Sequence, residues 1–165
     1  MLNSLRLVFF LFVAVMVVTG CSSTKETVNG PQQLETDAEY PFDFLKSSSL
    51  SKVLDRAAEE DKLVFVDIYT SWCLPCKMMD EDVFSHEGTA DIINADFVSY
   101  KVNAEKANGP DLATQYQVRS YPTLLFLDSK GNILERKEGV AYHTELLRLA
   151  ASAKSKYSAY SDAGN

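Results

Sequence analysis

Apolar and polar residues fall along this chain in blocks whose period changes from one block to the next. Leu7 to Val18 is an uninterrupted apolar run of twelve. Residues 22–40, "SSTKETVNGPQQLETDAEY", are polar, contain Gly30-Pro31 and show no apolar period. Leu50, Val53, Leu54, Ala57 and Ala58 then recur at helical spacing, and "LVFVDIY" at 63–69 is the short β-branched run of a buried strand. The pattern predicts a helix starting at the cysteine pair of "TSWCLPCKMMD", another near Thr89 to Asn94, and a strand in "FVSYKVNA". Gly109-Pro110 opens a helix through Tyr116, with proline at a tolerated first-turn position. "TLLFLD" at 123–128 is a third strand, and "SKGN" turns into a fourth at Ile133 to Lys137. An amphipathic helix from Tyr142 to Lys154 carries Leu146, Leu147, Leu149 and Ala150. Strands separated by helices predict a layered α/β sandwich with parallel crossovers and one terminal hairpin.

Length changes the reading of the first block. Twelve helical residues span about 18 Å, short of the roughly 30 Å hydrocarbon core, so with Arg6 in front the run fits a signal peptide over residues 1–20. Its end, Val18-Thr19-Gly20-Cys21, resembles the lipobox of bacterial lipoproteins, in which the cysteine is acylated and becomes the mature N-terminus. Residues 21–40 are then a lipidated tether with a reach of about 22 to 26 Å, the domain is 41–154, and 155–165, rich in Ser, Tyr, Ala and Asp, is expected to be disordered. A lipid anchor implies a membrane surface. Ser22 after the cysteine, without an acidic retention cue, favours the outer membrane, facing the periplasm or the cell surface.

Composition sets the outer limits. The 165 residues, 46% hydrophobic and 24% charged, suit about one domain, and a net charge of -7 argues against nucleic acid. Of three cysteines, lipidation of Cys21 leaves Cys73 and Cys76 as a pair in a compartment where disulfides persist. Turning at a helix N-terminus after a strand, the pair can close on itself. The orphan N–H groups and positive dipole end there stabilise a thiolate at Cys73, the expected nucleophile, with Cys76 as the less exposed resolving thiol. Pro75 restrains the first turn without removing a needed hydrogen bond. A structural zinc site needs four ligands, whereas His86 and His143 fall on different predicted helices; no metal is expected. A purely structural disulfide across so short a loop would add little stability.

Asp67, six residues before Cys73, together with "WCLPCK", "YKVNAE" and "YQVRSYPTLLFLDSKGN", resembles the thioredoxin family in order and separation over residues 48–152. The longer "MMDEDVFSHEGTADIINADF" is more similar to thioredoxin-like proteins of bacterial envelopes, including the C-terminal domain of the membrane-embedded thiol:disulfide interchange reductase. The resemblance implies a three-layer α/β/α sandwich with a central mixed sheet and the dithiol at a helix N-terminus. It also implies Asp67 as proton acceptor for Cys76, its pKa raised in an apolar strand. Lys101 matches the lysine beside that acid, and Tyr121-Pro122 the cis-proline loop beside the disulfide. Gly139 matches a glycine on the same surface, or is a plain strand-to-helix turn. Trp72 is expected to shape the surface beside the dithiol, Met78 and Met79 to pack the helix, and the acidic "DEDV" to be a solvated face.

The expected activity is thiol-disulfide exchange without a cofactor, reducing disulfides of envelope proteins and recharged by a membrane electron donor. Potentials in this fold run from about -270 to -120 mV, roughly 7 kcal/mol, depending on thiolate stabilisation. Leu74-Pro75 offers the sulfur neither imidazole nor hydroxyl, and Asp80, Glu81 and Asp82 oppose its charge, which favours a reductant. The alternatives are a client-binding or cytochrome/metal-site maturation factor with little general reductase activity, and a peroxidase, which needs Thr and Arg near its cysteine where this stretch offers only Ser71 and Thr70.

Overall fold

The computed structural model describes residues 41–47 and 49–163. The expected signal peptide, Cys21 and the tether lie outside them. The order of elements is α1 (Leu50–Glu60), β1 (Leu63–Tyr69), α2 (Leu74–Met79), a π-helical turn (Asp80–Phe84), α3 (Glu87–Asp96), β2 (Phe97–Asn103), α4 (Gly109–Gln115), β3 (Thr123–Leu127), β4 (Ile133–Glu138) and α5 (His143–Ala163). Among the described residues no helix is long and apolar enough to cross a membrane.

The four strands lie in the order β2-β1-β3-β4. β1 and β2 are parallel, with Leu63 level with Phe97 and Asp67 level with Lys101, while β3 is antiparallel to both β1 and β4. This is the expected mixed sheet: a crossover joins the parallel pair and a hairpin joins the last two strands. At the outer edge of β2 the incoming chain makes one parallel bridge, Phe44 to Ser99, so residues 41–45 climb the sheet alongside β2.

Alternation along the strands divides the interior into two layers. Leu63, Phe65, Phe97, Leu124 and Phe126 pack with Met79, Val83, Phe84, Ile93, Leu146 and Ala150 under α2, α3 and α5. Val64, Val66, Ile68, Val98, Tyr100 and Leu125 pack with Val53, Ala57, Leu112 and Tyr116 under α1 and α4. Asp67 has the parity of Leu63 and Phe65, so its carboxylate is directed into the first layer, on the side where α2 lies.

Two expectations are corrected. The tail expected to be disordered from residue 155 is helical through Ala163. Ala, Ser and Lys sustain the helix, and Lys156 Nζ ties it to the Leu134 carbonyl at 3.0 Å and to Glu135 at 2.8 Å. The "DEDV" stretch is a solvated face only in part: Glu81 and Asp82 are exposed, but the π-helical turn buries Val83 and turns Asp80 inward. Gly109 has its own steric reason: a Cβ there would stand 1.8 Å from the Asn103 carbonyl oxygen, where α4 starts against the end of β2.

Candidate active site

β1 delivers the chain to the top of the sheet, where Thr70-Ser71-Trp72 turns into α2. Cys73 is the residue that caps this helix, with extended backbone, and its N–H donates to the Thr70 carbonyl at 3.2 Å. Leu74 is the first helical residue and Pro75 the second, a position whose N–H has no helical acceptor, so the ring costs nothing. The Cys76 N–H points at Cys73 Sγ, 3.1 Å away. The two sulfurs are joined at 2.09 Å, with Cα atoms 5.3 Å apart.

Exposure does not separate the two cysteines in this oxidised state, since Cys73 is 3% and Cys76 2% accessible. The sequence placed Cys73 further out. What distinguishes the sulfurs is polarity: Cys73 Sγ receives a backbone N–H at a helix start, where negative charge is stabilised, while Cys76 lies inside the helix. The surroundings are apolar and accessible. Trp72 and Leu74, 66% and 68% exposed, flank the pair. Trp72 meets the Tyr121 ring edge-on at 5.9 Å and donates from Nε1 to Glu105 Oε1 at 3.0 Å. The Tyr121–Pro122 peptide is cis, and the Pro122 carbonyl accepts from the Gly139 N–H at 2.8 Å. Gly139 follows β4 at φ +83 with open space where a Cβ would be, so its backbone conformation, and no close neighbour, is what calls for glycine.

Beneath the helix lies a buried charge cluster. Asp67 is fully buried. Its Oδ2 accepts from Lys101 Nζ at 2.8 Å, and its Oδ1 has no partner among the described residues. Lys101 also contacts Asp80 and lies over the Tyr69 and Phe84 rings at 4.7 and 4.8 Å. Burial drives the Asp67 pKa up, further than the lysine brings it down. Burial works against the ammonium of Lys101 too, but the two carboxylates outweigh it and hold the lysine charged above its ordinary range. One cation between two carboxylates carries a net negative charge when both are ionised. A proton on Asp67 leaves a neutral Lys101–Asp80 pair, so this is a buried group ready to take a proton.

Asp80 is the residue sequence reasoning missed. The signal was present, because Asp80 is four positions after Cys76 and therefore on the same helix face, continued into the π-helical turn. His86 and His143, placed on different predicted helices, come together with ring centroids 4.4 Å apart, and Thr89 Oγ1 lies 3.2 and 2.9 Å from their Nδ1 atoms. They join the starts of α3 and α5. Among the described residues no group of three or more His, Cys, Asp or Glu is arranged to hold a metal ion.

The thioredoxin-like domain family matches residues 50–154. The chain belongs to the thioredoxin-like family. It is 37% identical to a thioredoxin-like protein of Synechocystis sp. over 55% of this chain and 81% of that one. It is 28% identical to the thiol:disulfide interchange protein DsbD of Pseudomonas fluorescens over 62% of this chain, but only 18% of DsbD. The solution structure of a candidate disulphide-isomerase from Bacteroides thetaiotaomicron is 39% identical, with a TM-score of 0.62 over 69% of this chain and 93% of that one. With its Cys73–Cys76 pair in CxxC spacing, this thioredoxin-like chain is a thiol-disulfide oxidoreductase.

Proposed function

We propose that the protein is a disulfide reductase of the bacterial cell envelope, held to a membrane by a lipid on Cys21. The observation that carries the chemistry is the Cys76 N–H aimed at Cys73 Sγ above a fully buried Asp67 with one unpartnered oxygen. In the reduced protein the Cys73 thiolate attacks one sulfur of a client disulfide. A mixed disulfide forms, and the other client sulfur leaves as a thiolate that takes a proton from water. Cys76 then gives its proton to Asp67, directly or through one water, and its thiolate displaces the client's remaining sulfur from Cys73. Two electrons have passed to the client, and the Cys73–Cys76 bond has formed. A donor dithiol at the membrane, itself oxidised in the exchange, restores the thiols.

Trp72, Pro75, Tyr121, Pro122 and Gly139 form the surface on which an extended client segment is held, with Lys101 and Asp80 positioning the charge of Asp67. The reducing direction is supported by the absence of polar side chains between the cysteines and by the acidic cluster below them, both of which leave a thiolate less stabilised than in a strong oxidant. The envelope location is supported by the signal-peptide and lipobox pattern and by the likeness to DsbD over this domain. Insulin reduction tests the activity: Cys73→Ala is expected to abolish turnover, and a wild-type rate in that variant would end the assignment. Equilibration with glutathione tests direction, since a potential as high as -120 mV would make the protein an oxidant.

A further inference from the structure

Where the chain enters the domain has a bearing on how an anchored copy is oriented. Asn94, near the end of α3, holds the entry from both sides: its Nδ2 donates to the Pro41 carbonyl at 2.9 Å, and its Oδ1 accepts from the Asp43 N–H at 3.1 Å. Asn94 lies just before Phe97, which is level with Leu63, the first residue of β1. Residues 41–45 then rise parallel to β2. The entry is therefore at the pole where β1 begins, and the dithiol is beyond the pole where β1 ends. Seven strand residues separate these poles by roughly 20 Å.

The entry pole also carries apolar surface that the redox chemistry does not use. α5 runs from His143, near the dithiol end, past Lys154, which pairs with Asp96 at 2.6 Å, and extends beyond the sheet. There Tyr157 and Tyr160, 38% and 84% exposed, stand with Ile133, 45% exposed, around an open groove of about 660 Å³ beside the β3–β4 turn. Three lysines of this pole are committed to carboxylates, Lys62 to Glu60, Lys154 to Asp96 and Lys156 to Glu135, and Lys130, exposed in the β3–β4 turn, adds one charge and no cluster. Attraction here is then apolar and amphipathic, of the kind by which tyrosine sits at a headgroup boundary, and not a basic patch on anionic lipid.

The dithiol pole is apolar as well, through Trp72, Leu74 and Tyr142. Either end could in principle meet a bilayer. The entry of the tether decides between them: a leash of nineteen residues from Cys21 arrives at the Tyr160 pole, so docking that pole needs no turn of the domain, whereas docking the other adds the length of the sheet. We propose that the pole bearing Tyr160, Tyr157 and Ile133 is the membrane-facing surface, seated at the lipid headgroup boundary, with Cys73 and Cys76 pointed away from the bilayer. This rests on the reading of Cys21 as the anchor. Clients and the reducing donor must then reach the dithiol from the aqueous side, through soluble domains and not within the membrane plane.

The chain from Cys21 to Asn165 has one thiol outside the disulfide, so Cys21 can be coupled to a maleimide phospholipid in phosphatidylcholine vesicles while Cys73 and Cys76 stay oxidised. Trp72 is the sole tryptophan and reports the dithiol pole. Tyr160→Trp in a Trp72→Phe background reports the other. With brominated lipids, emission from the Tyr160→Trp reporter is expected to fall about twofold and that from Trp72 to remain within about a tenth of its value, at low and high salt alike. An unquenched reporter at 160, or Trp72 quenched as strongly, overturns the orientation. So does reporter emission that follows protein concentration instead of lipid, which marks a second copy as the occupant. Mass analysis of the N-terminus from cells tests the anchor separately, and an unmodified Cys21 there overturns the lipidation reading whatever the coupled vesicles show.

Discussion

Asp67 combines complete burial with a single cationic partner shared with Asp80, and both facts have measurable consequences. Because burial raises its pKa in the folded state, the folded protein keeps a proton that the unfolded chain gives up above the ordinary value of 3.8. Stability is therefore lost as pH rises from that value through the raised one. Asp67→Asn removes the penalty and is expected to raise stability at pH 7 by about 1 to 3 kcal/mol, read from urea unfolding, while flattening the profile between acid and neutral pH. The same variant loses the proposed proton acceptor, so decay of the mixed disulfide in a single turnover is expected to slow about a hundredfold. The neighbours act in opposite directions. Asp80→Asn removes a charge that raises the Asp67 pKa and frees the lysine for it, moving the pH midpoint of resolution down; Lys101→Met moves it up. Shifts of the same sign in both variants would contradict the cluster as described.

At the scale of elements, the π-helical turn is what joins the dithiol helix to the core. It sets Phe84 against Phe42 and Phe44, with centroids at 5.0 and 5.2 Å, and under Lys101. Phe84→Ala should cost about 3 to 5 kcal/mol by thermal unfolding, and the cavity beneath Lys101 should also slow resolution. Deleting residues 155–163 removes the Lys156 ties to Glu135 and the Leu134 carbonyl and two exposed tyrosines, so a loss of at most about 1 kcal/mol and unchanged insulin turnover are expected. The strands and most helices were legible because each buries a face with its own period, as in "LVFVDIY" and in Leu50, Val53 and Ala57. The continuation of α5 was not, because Tyr157, Ser158 and Tyr160 carry no apolar stripe and the helix there is held by side-chain ties from Lys156 to β4. The inward turn of Asp80 was hidden for a related reason: three consecutive acids read as solvated unless the lysine that faces the first of them, 21 residues later on the next strand, is known.

For the whole molecule, the sheet places the dithiol at one pole and the entry of the chain at the other, so the two are kept apart by the length of a strand. The cysteine pair, Asp67, Lys101, Tyr121-Pro122 and Gly139 were picked out together by a resemblance in order and spacing, although the register that brings Lys101 level with Asp67 needs the fold. The account depends on an asymmetry between two equally buried sulfurs. The most direct measurement is to incubate reduced Cys76→Ala and Cys73→Ala variants with a disulfide-bonded client and analyse the products by non-reducing mass spectrometry. The expected result is a stable mixed disulfide through Cys73 in the first variant and none in the second; a stable adduct through Cys76, or equal adducts in both, would contradict it.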